Sequence, residues 1–264
     1  MDQSPALSPP VARLVLLGAS NLRMSLPTVL RVAFERVEGP LEIFVAHGHG
    51  RSYGAPSNVL GRTLPGILEC QLWEDIAKQP SLPTFALLTD VGNDLLYGVE
   101  PSQLCDWIEE CTVRLSAHDA RIIVTPLPIE SISSLSRVQY KVFRTFFFPA
   151  CRLSLETIVR HAQSTNEDLQ KLASGHNLTF PTVEKEWYGI DSIHLRRRLF
   201  VAAWQSLLTS WGVLRTGRKS FFLPWKQRVS LELALPHERR LFGIHQGRSQ
   251  PRLRLDDGST IAIY

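Results

Sequence analysis

The feature that most constrains this 264-residue chain is a repeated alternation of short apolar runs with helical patterns, sustained to about residue 212. The runs "ARLVLLG", "LEIFVAHG", "PTFALLTDVG" and "ARIIVTPLP" are near-continuously apolar, and "NLTFPTVEKEW" offers a fifth short strand. Between them lie "LPTVLRVAFERVEG", closed by Gly39, a broken stretch at "NVLGRTLPGILECQLWEDIAK", and "PSQLCDWIEECTVRLSAHD" with Pro101 in its first turn. A helical region from Leu135 to Leu172 and a last helix in "LRRRLFVAAWQSLLTSWG" complete the series. Strands that do not alternate polar with apolar are buried on both faces, and helices are what cover them. The pattern therefore predicts a doubly wound α/β chain, helices on both faces of a central parallel sheet, with ligands beyond the carboxyl ends of its strands.

The chain changes character after Gly212. From Arg215 onward ten Lys and Arg face four Asp and Glu, so the basic balance of the protein belongs to its last fifth. "RVSLELALP", "RRLFGIHQG" and "PRLRLDDGSTIAIY" read as short strands, the last folded back at Asp-Asp-Gly-Ser. The expected organisation is a flexible lead-in at 1–11, an α/β domain at 12–214 and a basic, β-rich extension at 215–264. The extension is either a solvated basic surface or the site of an anionic partner. No nucleic-acid-binding signature is present, and no run reaches the roughly 20 apolar residues that span a bilayer. The start of the chain, with Asp2 and adjacent prolines, lacks the apolar core of a secretory signal. Four cysteines without a CxxC pair read as reduced, mostly buried thiols, and the protein is expected in the cytoplasm. Nothing in the sequence indicates the oligomeric state.

Chemistry-bearing residues gather where strands end. The first strand runs into "GASN" with Ser20, which is either a nucleophile or the cap of the next helix. The second runs into "HGHGRSYG", the third into "TDVGNDLLYG" with Asn93, and "GIDSIHLRRR" precedes the last helix with Asp191 and His194. A Ser, Gly, Asn and Asp-x-x-His in that order, each following a candidate strand, resembles the SGNH hydrolases, the GDSL-type esterases and lipases. The resemblance covers about residues 12–212 and implies a flavodoxin-like three-layer α/β/α fold, to which the strands read in the tail add a small C-terminal β appendage.

It also implies a serine hydrolase cleaving a carboxylic ester, such as an acyl ester, acetylated sugar, lysophospholipid or thioester, without cofactor or metal. On this resemblance Ser20 is the nucleophile, His194 the base and Asp191 its orienting carboxylate. The oxyanion donors are the Ser20 N–H, the Gly50 N–H (Gly48 being the competing register) and the Asn93 amide. Such an arrangement makes chemical sense, because a serine hydroxyl needs a base within hydrogen-bond reach and a tetrahedral oxyanion needs fixed donors. Two departures stand out: Ala19 occupies the place of the family's Asp, and His47, His49 and Arg51 crowd the second block. His49, Arg51, Tyr53, Tyr97 and Trp187 are candidate substrate contacts. His47 and His49 with Asp90 or His118 form no fixed ligand spacing, so a metal is not expected. The segment 135–172 is expected to pack over the cleft as a lid or dimer contact. An acyltransferase using the same site, or a binding protein using the cleft and the basic tail, are the competing readings.

Overall fold

The computed structural model describes residues 8–176, 178–212 and 223–264. The boundary expected between residues 214 and 215, most of the lead-in, and the cationic Arg215, Arg218 and Lys219 lie outside the described residues.

Strand β1 (Ala12–Leu17) is buried along its whole length and leads into α1 (Ser20–Arg36). Strand β2 (Leu41–Ala46) follows, then a hairpin of β3 (Ser57–Val59) and β4 (Arg62–Leu64), and α2 (Leu72–Ala77). Next come β5 (Thr84–Leu88), a single-turn α3 (Asn93–Leu96), α4 (Pro101–Ser116) and β6 (Arg121–Val124). Helices α5 (Ile129–Ser133), α6 (Arg137–Phe147), α7 (Leu155–Gly175), α8 (Phe200–Leu207) and α9 (Trp225–Leu233) complete the helical part. The chain closes with β7 (Glu238–Leu241), β8 (Ile244–Gly247), β9 (Leu253–Arg254) and β10 (Thr260–Ile263).

The central sheet has the order β6-β5-β1-β2-β10-β9, parallel throughout except for β9. Alternate residues sort onto its two faces. Leu14 and Leu16 pack with α1 and α8, whereas Val15 and Leu17 pack with α2, α4 and α7. This is the predicted doubly wound α/β arrangement in three layers. Helix α1 carries the chain from β1 to β2 on one side, and β5 then pairs with β1 on the other. The carboxyl end of β1 is therefore the point where the winding reverses, which is where such sheets leave a crevice. Ser20 stands there.

Five expectations about elements change. The broken helical stretch from Asn58 opens instead with the β3–β4 hairpin, where Leu60 and Gly61 turn the chain with positive φ, and it is helical only at residues 67–69 and in α2. The helix expected from Leu26 starts six residues earlier, at Ser20, and runs through Pro27. The long helical region is two helices, parted at residues 148–154. The fifth strand reduces to one bridge, Ile123 with Thr179, beside β6. "RVSLEL" is the body of α9, where only Leu231 is buried, so no sheet partner rewards its alternation.

The C-terminal segment takes part in both sheets. The hairpin β7–β8 joins β3–β4 in a second, antiparallel sheet, but β10 pairs with β2 inside the central one. The turn at Asp-Asp-Gly-Ser forms as expected: Gly258 takes φ +93° and the Ser259 N–H donates to Asp257 Oδ1 at 2.9 Å. Ile261 and Ile263 are buried, and the Tyr264 hydroxyl donates to Asp75 of α2 at 2.8 Å. No described helix is long and apolar enough to cross a membrane.

Candidate active site

Ser20 is the first residue of α1, and Ala19 occupies the cap position without a side-chain bond. The serine hydroxyl does not cap its own helix. Its Oγ lies 2.9 Å from His194 Nε2, and His194 Nδ1 lies 2.6 Å from Asp191 Oδ2. A carboxylate only accepts, so Nδ1–H donates to Asp191 and the neutral ring offers its Nε2 lone pair to the Ser20 hydroxyl. The second Asp191 oxygen accepts the backbone N–H groups of His194 at 3.0 Å and Ile193 at 3.3 Å. A turn through Ser192, with φ +62°, brings carboxylate and ring together.

Electrostatics follow from this geometry. Burial works against the charged imidazolium, but the hydrogen bond and charge of Asp191, helped by the charge of Asp90, outweigh it and raise the His194 pKa above 6.5. For Asp191, burial favours the neutral acid, yet the bonds from His194 and the two backbone N–H groups hold its pKa below the ordinary value.

The same cleft, of about 1090 Å³, holds Ser20, His194, Asn93 and Gly50. The Asn93 side-chain nitrogen is buried without a hydrogen-bond partner. An amide donor buried without a partner is open to an acceptor bound in the cleft. Gly50 has φ +64°, and a Cβ there would collide with the Tyr97 hydroxyl. The carbonyls on either side of its nitrogen and carbon are held: His49 C=O accepts from Arg62 at 3.1 Å and Gly50 C=O from Tyr97 at 2.7 Å. In a trans peptide the N–H points opposite the carbonyl, so the Gly50 N–H faces away from Arg62. Gly48 packs instead under Leu64 and lies outside the cleft lining.

The candidate substrate contacts divide. His49 and Tyr97 line the cleft. Arg51, Tyr53 and Trp187 do not: they are 0 %, 0 % and 5 % exposed. The Arg51 guanidinium donates to the C-terminal Tyr264 carbonyl, and the Tyr53 hydroxyl donates to the Thr89 carbonyl at 2.8 Å. Trp187 packs in the core on the α1 and α8 face. Sequence alternation at "HGHGRSYG" could not reveal this, because the segment leaves the strand and turns inward. His47 is buried, and burial together with Arg23 and Arg51 drives its pKa well down, leaving a neutral ring. No group of three described His, Cys, Asp or Glu is placed to hold a metal.

Two residues have a role here that the sequence did not suggest, Asp90 entering there only as a possible metal ligand. Arg62 places a cation on the rim of the cleft, while the candidate contact Arg51 is buried. Asp90, at the end of β5 with φ +60°, reaches across to the start of α1, where its Oδ2 accepts from Ala19 N–H at 2.8 Å and Leu22 N–H at 3.1 Å. It satisfies donors that a helix start leaves open, and its charge suits the positive end of the helix dipole. Ala19 needs no carboxylate of its own. The only hint in sequence was an Asp at a strand end, where the left-handed region is tolerated.

Fold and site together describe a class: a doubly wound α/β protein with a serine, histidine and carboxylate hydrogen-bonded in series at the switch point of its sheet. No family model matches the sequence, and no curated protein matches it. Among solved structures, the chain is similar to a member of the lipolytic protein G-D-S-L family from Veillonella parvula, at 13% identity and TM-score 0.49, over 75% of this chain and 97% of that one. It is similar to the psychrotrophic esterase EstA from Pseudoalteromonas sp. at 10% identity and TM-score 0.48, over 76% and 98%. A GDSL-like lipase from Bacteroides thetaiotaomicron gives 12% identity and TM-score 0.47, over 78% and 91%.

Proposed function

We propose that this protein is a serine esterase of the SGNH type that hydrolyses a carboxylic ester through an acyl-Ser20 intermediate. The observation that carries the reading is the series Ser20–His194–Asp191 opening into the cleft where the buried Asn93 amide has no partner. In the reaction Ser20 Oγ attacks the ester carbonyl carbon while its proton passes to His194 Nε2. The carbonyl oxygen takes the negative charge and accepts from the Asn93 amide and the Ser20 and Gly50 N–H groups. His194 returns the proton to the departing alkoxide oxygen as the C–O bond breaks. Water then repeats the sequence on the acyl enzyme and releases the acid.

The cleft's walls narrow the substrate. Val59, Leu60, Leu96, Phe146, Phe147 and Phe148 line it, against the few polar groups near Ser20. Apolar walls of this kind favour an ester whose acyl or alcohol part is itself apolar. The test is labelling with a fluorophosphonate followed by peptide mass mapping, with His194→Ala in parallel and p-nitrophenyl esters of rising chain length as substrates. The expected result is an adduct on Ser20 that the variant forms far more slowly. Folded wild-type protein that takes up no label overturns the reading.

A further inference from the structure

The residue after the serine does more than extend the helix. Asn21 is buried, and its amide lies against the main chain on both sides of His194. Its Nδ2 donates to the Ile193 carbonyl at 2.9 Å, and its Oδ1 accepts the Leu195 N–H at 2.8 Å. The other Nδ2 hydrogen goes to Asp90 Oδ1 at 2.7 Å. This arrangement fixes which way the amide points. Turned over, it would set its oxygen against both the Ile193 carbonyl and the Asp90 carboxylate, and its nitrogen against the Leu195 N–H, replacing three attractions with three repulsions.

We infer that Asn21, oriented by Asp90, is the positioning residue that sets the register between Ser20 and His194. The nucleophile and the base come from segments far apart in the chain, and the 2.9 Å contact between Oγ and Nε2 has to be held by something other than itself. Asn21 is covalently next to Ser20 and brackets His194 by its two neighbours, so it ties one segment to the other at the reacting atoms. Asp90 anchors the same device from β5: one oxygen orients Asn21 and the other holds the Ala19 and Leu22 N–H groups. The carboxylate that Ala19 lacks is thus supplied across space, and it acts on serine and histidine together.

The inference rests on the esterase reading, and the experiment separates the two. The rate of fluorophosphonate labelling is measured for wild type, Asn21→Ala, Asn21→Asp, His194→Ala and each Asn21 variant combined with His194→Ala. Alanine leaves room for water to satisfy the freed groups. Aspartate keeps the volume and the Leu195 bond but faces Asp90 and the Ile193 carbonyl with a repelling oxygen. Both single variants are expected to label about 100-fold more slowly, as a misplacement of about 1 Å at a reacting pair does. With His194 already removed, neither is expected to slow labelling further, because the register they set no longer matters. A merely structural role would instead slow labelling equally in both backgrounds. Wild type labelled at Ser20 with undiminished rates in the folded Asn21 variants, or effects that multiply with His194→Ala, overturns the inference alone. A wild type that does not label overturns the esterase reading and this inference with it.

Discussion

Ser20, His194 and Asp191 come to the site with opposed demands that their surroundings balance. As the proposed base, His194 has to be neutral to take a proton, yet Asp191 and Asp90 raise its pKa above 6.5 against the effect of burial. Esterase activity is therefore expected to rise with pH, with the half-point of kcat/KM above 6.5. In Asp191→Asn the raising influences of that carboxylate are gone and burial has more say, so the half-point moves down while kcat falls on the order of 10³–10⁴-fold. A pH–rate profile of both proteins checks the pair of shifts; an unmoved half-point would deny Asp191 its role. Asn93→Ala is expected to lose about 10²–10³ in kcat with little change in KM, since on the proposed mechanism its amide serves the oxyanion and not the bound substrate. Steady-state kinetics on one p-nitrophenyl ester decides it. These four residues could be picked out in the sequence because chemistry limits which types perform such steps. Asn21 and Asp90 could not, because hydrogen bonds to backbone leave no signature of type or spacing.

Elements carry a second set of consequences. Helix α3 is one turn long and is tied to the loop after β2 by Asp94, whose Oδ2 accepts the Tyr53 N–H at 3.0 Å. Asp94 reads as a turn residue by its neighbours, but it is fully buried, and burial raises its pKa from 3.8 to about 6. A carboxyl whose pKa is raised on folding binds its proton more tightly in the native state. Its stabilising effect is complete below about 3.8 and is lost as the pH climbs through about 6. Asp94→Asn, which cannot ionise, is expected to gain on wild type over that window by roughly 2–3 kcal/mol, read as a growing difference in Tm. Equal pH dependence of the two proteins would refute it. One misread element shows where alternation misleads. "RVSLEL" alternates like a strand but finds no sheet edge, and it forms a helix whose end is met by Arg23, donating to the Glu232 carbonyl at 2.6 Å. Alternation measures which faces differ in polarity; it does not say whether a neighbouring strand exists.

At the scale of the molecule, the basic C-terminal stretch and the α/β body are joined through one sheet. Strand β10 covers β2, the Tyr264 N–H donates to the Val45 carbonyl at 2.8 Å, and the terminal residue receives the buried Arg51 guanidinium. Truncation after Arg248 would bare an apolar sheet edge and leave the buried Arg51 guanidinium without that acceptor, a loss of about 1–3 kcal/mol or more for a charged donor. Such a protein is expected not to fold. A truncated chain with native circular dichroism and Ser20 labelling would show the extension to be separable after all. The sequence by itself determined the class of fold and the candidate chemistry, because burial on two faces and acyl transfer each admit few residue patterns. Only the tertiary structure decided which polar residues face the cleft, what braces the serine, and that the last strand belongs to the central sheet. Those depend on partners up to 218 residues apart in the chain, such as Ser259 Oγ accepting the Leu41 N–H, and long-range pairing leaves no local trace.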